Sequence, residues 1–154
     1  MVSLKDLLSK QSSQALLSTV KRGDIFRMKL TKAEGITPKN EGDVDRNKYM
    51  VILGKTEDGK VFGFVVINSR INVHLSYELK CAHYPIRKDK YSFLDHDSFV
   101  YCGDIMEIDI DTFSERYQSQ SYGTLDEDDL AYVIGAVKSS ATITPKKKKK
   151  FGIF

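Results

Sequence analysis

The stretch YMVILGKTEDGKVFGFVVI, residues 49–67, decides the fold of this chain. Two apolar runs, 49–53 and 61–67, flank a polar segment that contains Asp58-Gly59. Asp-Gly between two apolar runs is a strong signal for a β-hairpin. Because both runs are apolar almost without interruption, we expect two central strands that are covered on both faces.

The segment before the hairpin predicts a further strand and a long loop. Phe26, Met28 and Leu30 alternate with Arg27 and Lys29, which is typical of a half-buried strand. Residues 31–48 follow, with glycine, proline and asparagine set among charged residues, and this pattern predicts a long loop. Long loops in compact domains usually serve a function, so the loop is a candidate binding element.

The segment after the hairpin is harder to interpret. Short strands are expected around 73–75 and 79–82, followed by an irregular stretch that contains Tyr84-Pro85. Residues 99–102 and 105–110 predict two more strands, interrupted at glycine 103.

Helices are expected near both ends. Residues 3–20 carry a broken leucine stripe behind a capping serine. Thr124 and Glu127 have capping-box spacing, and the apolar residues that follow recur at helical spacing to Val137. The sequence therefore predicts a mainly β fold with flanking helices, divided into an N-terminal helix (1–21), a β domain with its C-terminal helix (22–140) and a tail (141–154).

Charge is concentrated in that tail. The chain has 154 residues and a formal net charge of +3, but five consecutive lysines, Lys146 to Lys150, account for it, and the rest carries −2. Like charges repel, so we expect a disordered basic tail that binds nucleic acid, docks its phenylalanines in a partner or serves only as a solubilising end. A globally basic nucleic-acid-binding surface is excluded.

The compartment follows from weaker signals. No apolar run is long enough to span a bilayer or to act as a signal peptide, so we expect a cytoplasmic protein without membrane association. Cys81 and Cys102 are then expected to be free thiols.

Four motifs, taken in order, resemble the PemK/MazF family of toxins. They are Gly23-Asp24-Ile25 at a strand start, the apolar strand 49–53, the strand 64–69 that ends in a hydroxyl residue, and Gly123-Thr124-Leu125 leading into a helix. The resemblance covers roughly residues 22–138. It implies a small Src-homology-3-like barrel, usually a homodimer, which cleaves single-stranded RNA without a metal or other cofactor and is inhibited by an antitoxin protein.

The resemblance also implies a catalytic site. In the family an arginine before the second strand, normally followed by proline, acts with a threonine or serine at the end of the third. Ser69 matches the hydroxyl residue, whereas Lys48 and Tyr49 stand where arginine and proline belong. Lysine lacks the planar guanidinium, so Arg46 or Arg70 is expected to contribute. Lys39 in the loop and the five tail lysines are the candidate nucleic-acid-binding residues.

Other interpretations stay open. Without cleavage, the same domain would be a module that binds nucleic acid or protein through the 31–48 loop and the tail. Cys81, His83, His96 and Cys102 are potential zinc ligands, but their spacing fits no standard module, and a cysteine–histidine nucleophile is equally weakly supported. Our prediction therefore includes no metal.

Overall fold

A computed structural model describes residues 17–36, 42, 45–117 and 122–154. Most of the helix predicted over 3–20 lies outside these residues, although 17–19 are helical. Six strands in the described part form one antiparallel sheet: β1 (Ile25–Thr31), β2 (Asp45–Lys55), β3 (Val61–Asn68), β4 (His83–Ile86), β5 (Ser98–Tyr101) and β6 (Met106–Asp109).

The predicted hairpin is the centre of the sheet. β2 and β3 pair antiparallel with Val51 opposite Val65, and a bulge lies between Ile52 and Gly54. Gly59 supplies the positive φ that the turn requires. β2 begins at Asp45 because it pairs with the whole of β1, down to Thr31 opposite Asp45. The loop predicted over 31–48 is therefore too long. Its last four residues belong to β2, and residues near its start form a 3₁₀ turn, Lys32–Glu34.

The outer edge of β3 is shared by two strands. Its first half pairs with β6 and its last two residues pair with β5, which in turn pairs with β4. The strand order is β1-β2-β3-β5-β4, with β6 on β3. These pairings join the described strands in an open path, so the coarse prediction of a β-rich fold with helices is confirmed, whereas a closed barrel is not seen.

Both faces of the sheet are covered, as the unbroken apolar runs predicted. Alternate residues of β2 and β3 enter two separate cores, because successive side chains of a strand point to opposite faces. One core contains Val51, Val65 and Val133, and the other contains Met50, Phe64 and Phe113.

Four α-helices lie entirely within the described residues: α1 (Tyr77–Cys81), α2 (Ile110–Arg116), α3 (Glu127–Ser139) and α4 (Pro145–Lys150). The strands expected around 73–75 and 79–82 are wrong, since residues 73–75 form a turn and α1 occupies 77–81. α3 confirms the predicted C-terminal helix, but its cap is Asp126, whose carboxylate accepts a hydrogen bond from the Asp129 amide at 2.8 Å. No helix in the described ranges is long and apolar enough to cross a membrane.

The tail is folded, contrary to the prediction of a disordered end over 141–154. Phe151 is 1 % exposed and its ring lies against Gly63, where an added Cβ would come within 2.5 Å of the ring. Arg22 donates hydrogen bonds to the backbone oxygens of Phe151 and Gly152, both at 3.3 Å. The apolar end of the tail therefore completes the core, and this contact offsets the repulsion among the lysines.

A cationic groove as the candidate functional site

A groove of about 600 Å³ opens where β2 begins and β3 ends, at the end of the hairpin away from its turn. All four predicted catalytic residues line it: Arg46 and Lys48 from β2, and Ser69 and Arg70 directly after β3. The antiparallel pairing of the two strands brings residues about twenty positions apart to the same place. The structure thus brings the predicted set together, although this placement does not test their roles.

Lys48 is the most unusual residue of the groove. It lies on the same face of β2 as Met50, and only 7 % of its surface is exposed. Its ammonium group donates a hydrogen bond to Asn68 Oδ1. Burial, and secondarily the charge of Arg46, lowers the pKa of Lys48 from 10.5 to about 8. A buried ammonium group without a carboxylate partner is costly to the fold.

The groove is positively charged. Arg46, Lys48 and Arg70 line it, whereas none of the described lining residues is an aspartate or a glutamate. None of these three cations forms an ion pair with a described carboxylate. A concave surface with uncompensated positive charge attracts anions, and phosphate is one of the anions that arginine and lysine bind well.

Much of the remaining lining of the groove is apolar. These residues come from the segment after the 3₁₀ turn, from β3, from the segment after β3 and from the start of β6: Ile36, Val66, Ile71, Val73, Leu75 and Met106. A ligand with both an anionic group and a flat apolar group, such as a nucleotide, matches this mixed lining.

Ser69 and Arg70 are exposed, so both side chains are accessible to a ligand. Between them and Lys48 stands Asn68, a site residue that the sequence analysis missed. The signal was present in the pattern of alternation. Lys48 falls on the apolar face of β2 with Met50, and Asn68 falls on the apolar face of β3 with Val66, so two polar side chains had to meet at the edge of a core.

His83 is the second missed residue. It was expected only as a zinc ligand or as the partner of a nucleophilic cysteine, yet it lines the groove, is 9 % exposed and stands at the start of β4. Its Nδ1 lies 2.8 Å from the carbonyl oxygen of Leu79 and 3.2 Å from that of Lys80. The ring packs on Tyr101 with 4.8 Å between centroids. No sequence signal pointed to this position, because α1 was not expected.

The remaining candidates are Lys39 and the five tail lysines. Lys39 lies outside the described residues. The tail lysines lie in α4, where three of the five have tertiary partners: Lys147 pairs with Asp104 at 3.0 Å, Lys148 donates to two backbone oxygens at 2.8 Å and Lys150 pairs with Glu107. Lys146 and Lys149 are exposed. The tail therefore offers less free charge to a nucleic acid than its composition suggests.

The described residues give no support to the zinc interpretation. No three of their histidine, cysteine, aspartate or glutamate side chains are grouped as metal ligands would be. Cys81 and Cys102 are free thiols, as predicted, but Cys81 is exposed and Cys102 is buried. Burial raises the pKa of Cys102 to about 12, which makes it a poor nucleophile.

Comparison with known proteins does not identify a family. No protein-family model matches the chain, and no curated protein matches it significantly. The resemblance to the PemK/MazF toxins therefore depends on the sequence motifs alone.

Proposed function

We propose that this chain is a divergent PemK/MazF-like protein whose groove binds single-stranded RNA and cleaves it without a metal ion. The observation that carries the proposal is the composition of the groove. Three cations and an exposed hydroxyl meet in one cavity, and no described lining residue is acidic. In this proposal the six-stranded sheet is the core of a Src-homology-3-like barrel.

The proposed reaction is an internal transfer at phosphorus. The ribose O2′ attacks the adjacent phosphorus atom, the bond from phosphorus to O5′ breaks, and the products are a 2′,3′-cyclic phosphate and a 5′-hydroxyl group. Negative charge accumulates on the non-bridging phosphate oxygens in the transition state. Arg46, Lys48 and Arg70 would neutralise this charge, and Ser69 would donate a hydrogen bond that orients the phosphate.

Lys48 takes the place of the family's arginine in this scheme. Its hydrogen bond to Asn68 fixes the ammonium group, which compensates in part for the missing planar guanidinium. Its depressed pKa reflects an ammonium group with too little solvation, and a bound phosphate dianion or monoanion would supply the missing counter-charge.

A second candidate is a binding module that holds nucleic acid or protein without cleaving it. The observation that favours it is again Lys48, because an ammonium group held by Asn68 forms one contact where an arginine forms two. The same positive groove fits an acidic segment of a partner, so we propose an antitoxin-like protein as its inhibitor. A homodimer and a cytoplasmic location remain part of the proposal.

The test is cleavage of a fluorescent single-stranded RNA of mixed sequence by purified protein in excess EDTA. The double variant Ser69→Ala/Lys48→Ala is compared with the wild type, and Lys29→Ala is the matched control because Lys29 is an exposed lysine on β1. We expect cleavage by the wild type and the control but not by the double variant. Wild-type binding of the RNA without cleavage would instead favour the binding module. If the folded protein neither binds nor cleaves the RNA, both the ribonuclease and the nucleic-acid-binding module are contradicted.

A further inference from the structure

The groove contains a histidine whose tautomer is set by the backbone. Carbonyl oxygens only accept hydrogen bonds, so the two contacts of His83 Nδ1 with Leu79 and Lys80 require a hydrogen on Nδ1. In the neutral ring the lone pair is then on Nε2. Nε2 has no hydrogen-bond partner among the described residues, and it is not one of their fully buried, unsatisfied atoms.

The imidazole ring is also held in place. Tyr101 packs on it with 4.8 Å between centroids and an interplanar angle of 33°, and Phe99 approaches its edge at 6.3 Å. Two backbone contacts and two aromatic neighbours fix the ring at the groove wall. A positioned ring with one committed and one uncommitted nitrogen is the arrangement that a general base requires.

We propose that His83 is a catalytic residue of the groove, with Nε2 as the base that accepts the proton of the ribose 2′-hydroxyl. The inference depends on the proposed function and adds to it the proton acceptor that the four predicted residues lack. Arg46 and Arg70 are donors only, and Ser69 is a weak acid at neutral pH. Lys48 has a pKa of about 8, so it is mostly protonated at pH 7, and it donates its hydrogen bond to Asn68. The imidazole of His83 is therefore better suited than these four residues to accept the proton.

The step balances without a co-reactant. The O2′–H bond breaks and its proton moves to Nε2, the O2′–P bond forms and the P–O5′ bond breaks. O5′ gains one proton through solvent as His83 returns one, so the enzyme ends in its starting state. Because the 2′-hydroxyl is required, the substrate is RNA and not DNA.

The test uses two substitutions of His83, each of which preserves the position of only one of the two ring nitrogens. The side-chain amide of His83→Asn places an N–H close to the position of Nδ1, which preserves the bond to the Leu79 carbonyl and removes the base. His83→Gln places its amide close to Nε2 and removes the Nδ1 tether. General-base catalysis contributes about 100-fold or more to a rate. We therefore expect both variants to lose at least about 100-fold in single-turnover cleavage, with His83→Asn still folded at the assay temperature by circular dichroism.

An RNA substrate in which sulfur replaces the bridging O5′ distinguishes a general base from a general acid. Because a thiolate leaves without being protonated, this substrate needs no general acid but still needs a general base. We expect the His83→Asn defect to persist with this substrate. Disappearance of the defect would overturn the assignment as a base. Full activity of His83→Asn on ordinary RNA would show that the ring has only a structural role, and the proposed function would stand. A wild type that binds but does not cleave RNA would overturn both the inference and the catalytic proposal.

Discussion

Substitution of Lys48 by methionine is expected to stabilise the protein. Burial lowers the pKa of Lys48 from 10.5 to about 8, and each unit of pKa is worth about 1.4 kcal/mol, so the charged side chain costs the fold about 3 kcal/mol. Methionine matches the length of the lysine stem and packs beside Met50 without a charge. It also leaves Asn68 Oδ1 without its donor, which costs about 1 kcal/mol because Asn68 is only half-buried. The expected net gain is about 2 kcal/mol in the free energy of unfolding.

The stability gained by Lys48→Met should become smaller as the pH rises. Between about pH 8 and pH 10.5 the unfolded chain keeps the Lys48 proton that the folded chain has lost, so the wild-type free energy of unfolding rises with pH. Lys48→Met lacks this contribution. From about pH 7 to about pH 9.5 the difference between the two proteins should shrink by about 2 kcal/mol.

Urea denaturation followed by tyrosine fluorescence and circular dichroism measures both quantities. Lys29→Met is the matched control, since Lys29 is exposed on the neighbouring strand β1. Its effect should stay within about 0.5 kcal/mol at every pH. A Lys48→Met protein that is less stable than the wild type near neutral pH, or a difference that does not change with pH, would refute the argument that Lys48 is a costly buried cation.

Further predictions follow from the other contacts. Phe151→Ala should cost about 3–5 kcal/mol in urea denaturation, because the ring fills the space over Gly63, and a disordered tail would make the substitution nearly neutral. For Asp129, burial raises the pKa, but hydrogen bonds from tyrosine hydroxyls and a lysine outweigh it and lower the pKa overall. Its stabilisation is therefore present above the ordinary aspartate pKa and is lost as the pH falls through the lowered value, and acid titration of Asp129→Asn should show less of this loss. Replacing Arg46 and Arg70 together by alanine should reduce the salt dependence of RNA binding by about 1.4 in the slope of log K against log salt, and an unchanged slope would place the RNA elsewhere.

The sheet could be predicted from the sequence where its signals are local. The apolar runs, the Asp-Gly turn and the alternation in β1 depend on neighbouring residues, and the strands they predicted are present. The prediction for residues 71–86 was wrong because the short helix α1 depends on a cap by Ser76 and on contacts with β4 rather than on a strong sequence pattern.

The tail shows what local patterns cannot reveal. Five lysines predict repulsion, but Gly54 and Gly63 lie opposite each other in the hairpin and leave space that Phe151 fills. This contact joins residues about ninety positions apart, and nothing near the lysines indicates it. The candidate site divides in the same way. Lys48 and Ser69 followed from the resemblance to the PemK/MazF motifs, whereas the position of His83 depends on contacts with the unexpected helix α1.

The central claim is that RNA is cleaved in the groove by attack of the RNA's own 2′-hydroxyl on the adjacent phosphorus. The most direct measurement is mass spectrometry of the products from a short defined RNA incubated with the wild type in EDTA, beside the same RNA with a 2′-deoxyribose at the cleaved position. The account predicts a 2′,3′-cyclic phosphate and a 5′-hydroxyl end from the first substrate and no cleavage at the substituted position of the second. Intact RNA, 5′-phosphate ends or cleavage at the deoxyribose would contradict it.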